Sequence, residues 1–400
     1  MMADLIFPTL ETWPEKLEAN LWNGEHGTNR ERTRPCQIRA NNDLEAIRCW
    51  LNEYRHKSTT FRLYQKEGER FFLWCIFEKQ KPLSSLDVDE FKAYFLFLEN
   101  PTPKARWCIQ NGGRGQKRGS KEWRPFVGPL NANSRATAIT VVNSLVTYLV
   151  DAQYLAYHPL KLIRKKQVLF QNPTVRKLKI KQRILEQDEW EMMQQVLEKW
   201  PDNTPHERDE KERLRFLVRI LFFLGLRVNE LVTHTWGAFQ KEEGLWWFYV
   251  LGKGDKLAKI PVNDEFMDDV RRFRTHLRYT AEPEVNESGA LIHSWNTQEA
   301  IKDRYVNMLL KKLALKTAEK FQDKPEKCEK LKRFSAHWLR HLFATQQDRA
   351  GISFTDIRDN CRHENEATTR LYVHAFDKSR HEAMSKLTLR SWSADENTSI

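Results

Sequence analysis

Between residues 161 and 183 the chain carries nine basic side chains and no acidic one: Lys161, Arg164, Lys165, Lys166, Arg176, Lys177, Lys179, Lys181 and Arg183. Such a run repels itself and cannot be buried, and Asn172-Pro173 breaks it. No single hydrophobic core can be continuous across it, so the chain must fold as one body before it and another after it. The 400 residues leave enough for both. The expected division is an N-terminal arm (1–38), a helical domain (39–160), a basic linker (161–183), a second domain (184–387) and a polar tail (388–400).

The same charge bias runs through the whole chain, with 66 Lys plus Arg against 54 Asp plus Glu and a formal charge of +12. A polyanion is the natural partner, nucleic acid first. An anionic membrane surface is the rival, but it calls for a basic amphipathic helix, and the basic runs here flank Pro or Gly breaks. No apolar run reaches spanning length and no signal peptide opens the chain, so a cytoplasmic, nucleoid-associated location is expected. The six cysteines form no CxxC and read as reduced thiols. Cys, His and acidic residues do not gather at metal-ligand spacing, so no metal is expected.

The first domain reads as helices. Leu44, Ile47, Leu51 and Tyr54 make one stripe, and a helix over about 59–78 follows. Asp87-x-x-Glu90 is a capping box that opens a third helix, ended by Pro101 and Pro103. A fourth runs from about Asn133 to Leu155. Between them, 104–130 is rich in glycine and basic residues. It reads as a flexible positive loop whose Arg114, Lys117 and Arg118 are candidate phosphate contacts. Residues 1–38 read as a loosely held arm with a short helix near Trp13–Trp22.

In the second domain a charged stretch, 207–215, leads into the apolar run 216–224, and LGLR breaks it. Trp246–Val250 and Ala258–Val262 are strand-like around the glycine-flanked Lys253, with Pro261 favouring an edge or a strand end. Helices are expected over 263–278, 297–319, 337–348, 354–361, 365–372 and 377–387. His337 and Arg340 lie on one helix face, followed in the chain by His363 and Tyr372. Charged donors, imidazoles and a phenol suit a phosphate that is gripped and then attacked.

Arg227, Lys253, His337, Arg340, His363 and Tyr372 stand in the motifs LFFLGLRVNELVTHTW, LGKGDKLAKIPV, SAHWLRHLFAT and CRHENEATTRLYVHAF. In this order they resemble the catalytic set of the tyrosine recombinases, the phage integrase family. The resemblance implies a mainly α fold with a small antiparallel sheet. A helical, SAM-like core-binding domain would precede a mixed α/β catalytic domain. It implies a site-specific DNA recombinase or integrase of phage or mobile-element type, working on double-stranded DNA as a tetramer on paired sites. An accessory DNA-bending or directionality protein is an optional partner. Arg227 and Arg340 would clamp the phosphate, His337 and His363 would assist, Lys253 would protonate the leaving oxygen, and Glu230, at the acidic position after the first arginine, would be supportive rather than catalytic. Tyr372 would form a 3′-phosphotyrosine link with no metal, ATP or other cofactor. A terminal helix near 378–389 would dock on a neighbouring protomer. Arg362 stands where the family usually has glycine. A type IB topoisomerase or a non-enzymatic DNA-binding protein on the same fold are the alternatives.

Overall fold

The computed structural model describes residues 6–13, 23–110, 116–163, 183–252, 256–294 and 297–373. The chain divides into two compact units, 1–171 and 172–400, a boundary that falls inside the basic run.

Among the described residues the long helices of the first unit are α1 (Asp43–Asn52), α2 (Ser58–Trp74), α3 (Val88–Glu99) and α4 (Ala132–Asp151). The Asp87/Glu90 box caps α3 as expected. An aromatic core fills the space between them, with Trp50, Phe71, Trp74, Tyr94, Trp107 and Phe126 almost fully buried. Asp43 is buried too, and accepts from the Ser84 backbone N–H at 3.0 Å and the Tyr154 hydroxyl at 2.8 Å.

Two expectations fail in this unit. Where it is described, the N-terminal segment is not a loose arm. Phe7 is buried against Phe77 and Trp107, the Leu10 N–H donates to Glu69 at 2.9 Å, and Asn29 exchanges hydrogen bonds with Tyr157. The proline and glycine punctuation signals turns, and the buried anchors between the turns decide the outcome. Much of the helix expected near Trp13–Trp22 lies outside the described residues. The 104–130 segment is likewise held at both ends by Trp107 and Phe126, with Arg70 stacked on the Phe126 ring.

The second unit begins with α5 (Gln187–Glu198) and α6 (Pro205–Leu224). The charged stretch and the apolar run are one helix, started by a Thr204/Glu207 capping box. After α7 (Val228–Thr233) come β1 (Phe239–Glu242), β2 (Leu245–Leu251) and β3 (Leu257–Val262), antiparallel in the order β1-β2-β3. Strand β1 is additional to the expected pair. Pro261 sits on the edge strand β3, opposite Trp247. Then follow α8 (Asp264–His276), α9 (Asp303–Ala318), the unforeseen α10 (Pro325–Leu331), α11 (Ala336–Arg349), α12 (Phe354–Asn360) and α13 (Glu366–Val373). Helix α6 packs on α8 and α11, which brings the LGLR break against the helix that carries His337 and Arg340. The expected helix over 377–387 and the tail lie outside the described residues. Among the described residues no helix is long and apolar enough to cross a membrane.

Candidate active site

The site is assembled where α6 and α12 end. Helix α6 stops at Leu224, and Gly225 turns the chain at φ +53°. A Cβ at Gly225 would lie 2.2 Å from the Phe343 ring on α11, so both the dihedral and the close approach of α11 require glycine. The turn delivers Arg227 as the residue that caps α7. Its backbone N–H donates to Glu230 Oε2 at 2.8 Å and its Nη1 to Glu230 Oε1 at 2.5 Å.

Helix α12 ends in a Schellman turn: the Arg362 N–H donates to Asp359 O at 2.9 Å and the His363 N–H to Arg358 O at 3.0 Å. Arg362 holds the left-handed position at φ +52°, where a non-glycine residue carries a cost of roughly 1–2 kcal/mol. Its guanidinium closes inward on Asn360 O at 2.7 Å, Gly225 O at 3.0 Å and Glu230 Oε2 at 2.9 Å. Arg340, reaching from α11, donates to Gly225 O at 2.6 Å and to Cys361 O. Two guanidiniums thus satisfy the orphan carbonyls at two helix C-termini and bind the termini together. Arg227 is differently placed. Its side chain is 45% exposed, against 6% for Arg362 and 7% for Glu230.

The electrostatics follow from this crowding of positive charge. Burial and then the charges of Arg362 and Arg227 push Arg340 down to about 10, still protonated at neutral pH. Burial would raise the Glu230 carboxyl. The charge of Arg362 and the N–H and guanidinium of Arg227 outweigh burial and hold it below its usual range. His363 is pushed down to about 3 by burial, then by Arg340, Arg227, Arg362 and His337. Its Nδ1 lies 2.9 Å from the hydroxyl of Thr369 on α13. His337 keeps an exposed face. It is nevertheless lowered by desolvation, then by Arg340, Arg183 and Arg227, and its ring meets that of His341 at 4.2 Å. Three guanidiniums face one carboxylate beside imidazoles held neutral, so the site is electrostatically short of an anion.

Residues 183–379 match the model of the phage integrase family. A tyrosine recombinase XerC of Vibrio parahaemolyticus is 26% identical over 277 residues, covering 68% of this chain and 73% of that protein. A tyrosine recombinase of Pseudothermotoga lettingae is 26% identical over 264 residues, covering 64% of this chain and 76% of its own length. Among solved structures, the XerH site-specific recombinase bound to a palindromic difH substrate, a post-cleavage complex, superposes with a TM-score of 0.58 at 17% identity over 88% of this chain and 90% of that one. The Tn1549 transposon integrase in complex with transposon right end DNA gives 0.53 at 16% identity, over 86% of this chain and 99% of that one. Through residues 183–379 the chain belongs to the phage integrase family, the tyrosine recombinases. The solved structures share its fold, mainly helical with a small antiparallel sheet.

Of the six candidate catalytic residues of this family member, Arg227, Arg340 and His363 converge on the two helix ends. His337 stands one turn before Arg340 on α11. Tyr372 belongs by its backbone to α13, one turn beyond Thr369, and that helix packs on α11 and α12. Its side chain, and all of Lys253, lie outside the described residues. So do Arg114, Arg164, Lys165, Lys166, Arg176, Lys177, Lys179 and Lys181. Lys117, Lys161 and Arg183 are exposed, and the charge of Arg183 reaches His337. The Arg118 guanidinium donates to Glu69 at 2.6 Å and Glu11 at 2.8 Å, and so braces the N-terminal unit. Among the described residues no group of three or more His, Cys, Asp or Glu is placed to hold a metal ion.

Three further residues shape the site. Arg362 stood in the quoted motif as a departure from glycine. Thr369 carried no signal as a partner of His363. His234, at the end of α7, accepts the Leu251 N–H at Nε2 (2.9 Å), while its Nδ1 lies 2.7 Å from Glu230 O. An imidazole that accepts at Nε2 carries its proton on Nδ1, so His234 bridges the helix of Arg227 to the last residue of β2, two positions before Lys253. Only the fold brings these groups within reach.

Proposed function

We propose that the protein is a site-specific DNA recombinase that cuts and rejoins double-stranded DNA through a 3′-phosphotyrosine intermediate, acting as a tetramer on paired sites. The observation that carries this reading is the convergence of Arg227, Arg340 and His363 on one cluster of helix ends, beside the helix that contains Tyr372. The family membership of residues 183–379 supports the general chemistry.

The Tyr372 oxygen attacks the scissile phosphorus, and the P–O5′ bond breaks as the new P–O bond forms. The phenolic proton passes to His337, which desolvation and then the neighbouring positive charges keep unprotonated and able to accept it. Arg227 and Arg340 neutralise the non-bridging oxygens as charge builds on them, and His363 donates to one of those oxygens. Lys253 gives its proton to the departing 5′ oxygen. The phosphotyrosine link conserves the bond energy, so a second 5′-hydroxyl can reseal it without ATP. The arginines supply the counter-charge that a metal provides elsewhere. Arg183, Lys161, Lys117 and the basic run between residues 161 and 183 contact the duplex backbone.

The test is a nicked suicide duplex carrying the protein's own site, with chelator present and nucleotide absent. A detergent-stable protein–DNA adduct is expected. Binding to the site with no adduct would overturn the enzymatic reading. Efficient relaxation of plasmid DNA that lacks the site, without paired-site exchange, would favour a type IB topoisomerase instead.

A further inference from the structure

Glu230 is shared. One oxygen accepts from Arg227 Nη1, and the other accepts from the Arg227 backbone and from Arg362 Nη2 at 2.9 Å. The two guanidiniums are not equivalent. Arg362 is almost wholly enclosed, with Nη1 on Asn360 O and Nη2 on Gly225 O and Glu230 Oε2, whereas Arg227 remains close to half exposed. An arginine closed onto a single carboxylate forms a nearly neutral pair, and such a pair draws an incoming phosphate weakly. With two guanidiniums on one carboxylate, a net positive charge remains, and it remains on the exposed partner.

We propose that Arg362 is a positioning residue whose charge satisfies Glu230, so that Arg227 is oriented by Glu230 without being neutralised by it. The proposal rests on the reading of Arg227 as a phosphate ligand. It also explains why an arginine occupies a left-handed position that glycine fills without strain. From that backbone geometry the side chain reaches Glu230 and Gly225, and its hydrogen bonds offset the conformational cost. Arg362 itself does not touch phosphate, because its side chain is enclosed and both Nη groups already end on protein oxygens.

A role in folding alone and a role in charge balance make opposite forecasts for a double variant. Arg362→Gly relaxes the left-handed turn and removes the guanidinium, leaving Glu230 to close on Arg227. On the nicked suicide duplex we expect adduct formation to slow by about tenfold or more while duplex affinity changes by only a few-fold. Adding Glu230→Gln removes the charge that captures Arg227, and the Arg362→Gly/Glu230→Gln protein is expected to recover several-fold over Arg362→Gly alone. A double variant as slow as the single, or slower, would overturn the proposal, since a merely structural network loses more with each hydrogen bond removed. If Arg362→Gly does not fold, the comparison moves to Arg362→Lys and Arg362→Gln. The charge-keeping Lys variant should retain most activity, and the Gln variant should be slow and rescued by Glu230→Gln. Equal rates for Lys and Gln would then refute it. Arg227→Ala is the control. Normal cleavage by that variant sinks the phosphate-ligand reading itself, whereas a dead Arg227→Ala with no rescue in the double variant sinks only the role of Arg362.

Discussion

His363 illustrates how the site waits for an anion. With its pKa pushed down to about 3 in the free protein, the folded chain declines a proton that the unfolded chain accepts near pH 6.5. Between those two values the unfolded state holds more protons, so this group makes the fold less stable as the pH falls through the window. His337 is shifted in the same direction. A scissile phosphate supplies the missing negative charge, raises both imidazoles and narrows the gap. Duplex binding is therefore expected to take up protons. The gain in Tm on adding the specific duplex should grow as the pH drops from about 7.5 to 5.5, and His363→Gln should flatten that growth, which calorimetry with and without DNA checks. A gain that is independent of pH would mean the phosphate does not reach these rings. At this scale the sequence was informative about residue types. Motif order singled out Arg227, Arg340, His337 and His363, and the fold brings Arg227, Arg340 and His363 to one cluster of helix ends. The ion pair of Arg118 was not legible, because a cation in a glycine-rich stretch carries no mark of the buried Glu69 that engages it.

At the scale of elements, the site depends on how helix ends are finished. The capping box of α3, the apolar face of α4, the β2–β3 pair and the edge position of Pro261 were readable from local patterns. The Schellman turn at Arg362 was not, since its usual mark is glycine. Nor was the bridge from α7 to β2 through His234, a contact set by tertiary packing. That bridge has a consequence for catalysis. His234 fixes the end of β2, two residues before Lys253 in the chain, so His234→Phe should cleave slowly. A substrate with a 5′-bridging phosphorothiolate, whose sulfur leaves without a proton, should restore much of the rate for His234→Phe and for Lys253→Ala alike. Rescue of Lys253→Ala alone would show that His234 serves some other part of the site. Rescue of neither would remove Lys253 from the role of general acid.

At the scale of the whole molecule, the basic run forecast two bodies, and the chain divides within it. What composition did not disclose was the anchoring of the N-terminal segment, because one buried Phe7 outweighs several turn-forming residues around it. The charge of the run leads to a prediction about DNA. Changing Lys165, Lys166, Lys177 and Lys179 together to Gln should weaken binding to all sequences and reduce the slope of log K against log salt by about 0.9 for each phosphate contact removed. An unchanged slope would take the run out of the interface.

The most direct test of the proposed chemistry is the fate of Tyr372 on the nicked suicide duplex. Removing a single oxygen in Tyr372→Phe alters volume little, so folding and site binding should match the unmodified protein. The unmodified protein should yield a covalent adduct that releases a phosphopeptide containing Tyr372 on digestion, and Tyr372→Phe should yield none. An adduct formed by Tyr372→Phe, or one mapped to another residue such as Tyr305 or His374, would contradict the proposed mechanism.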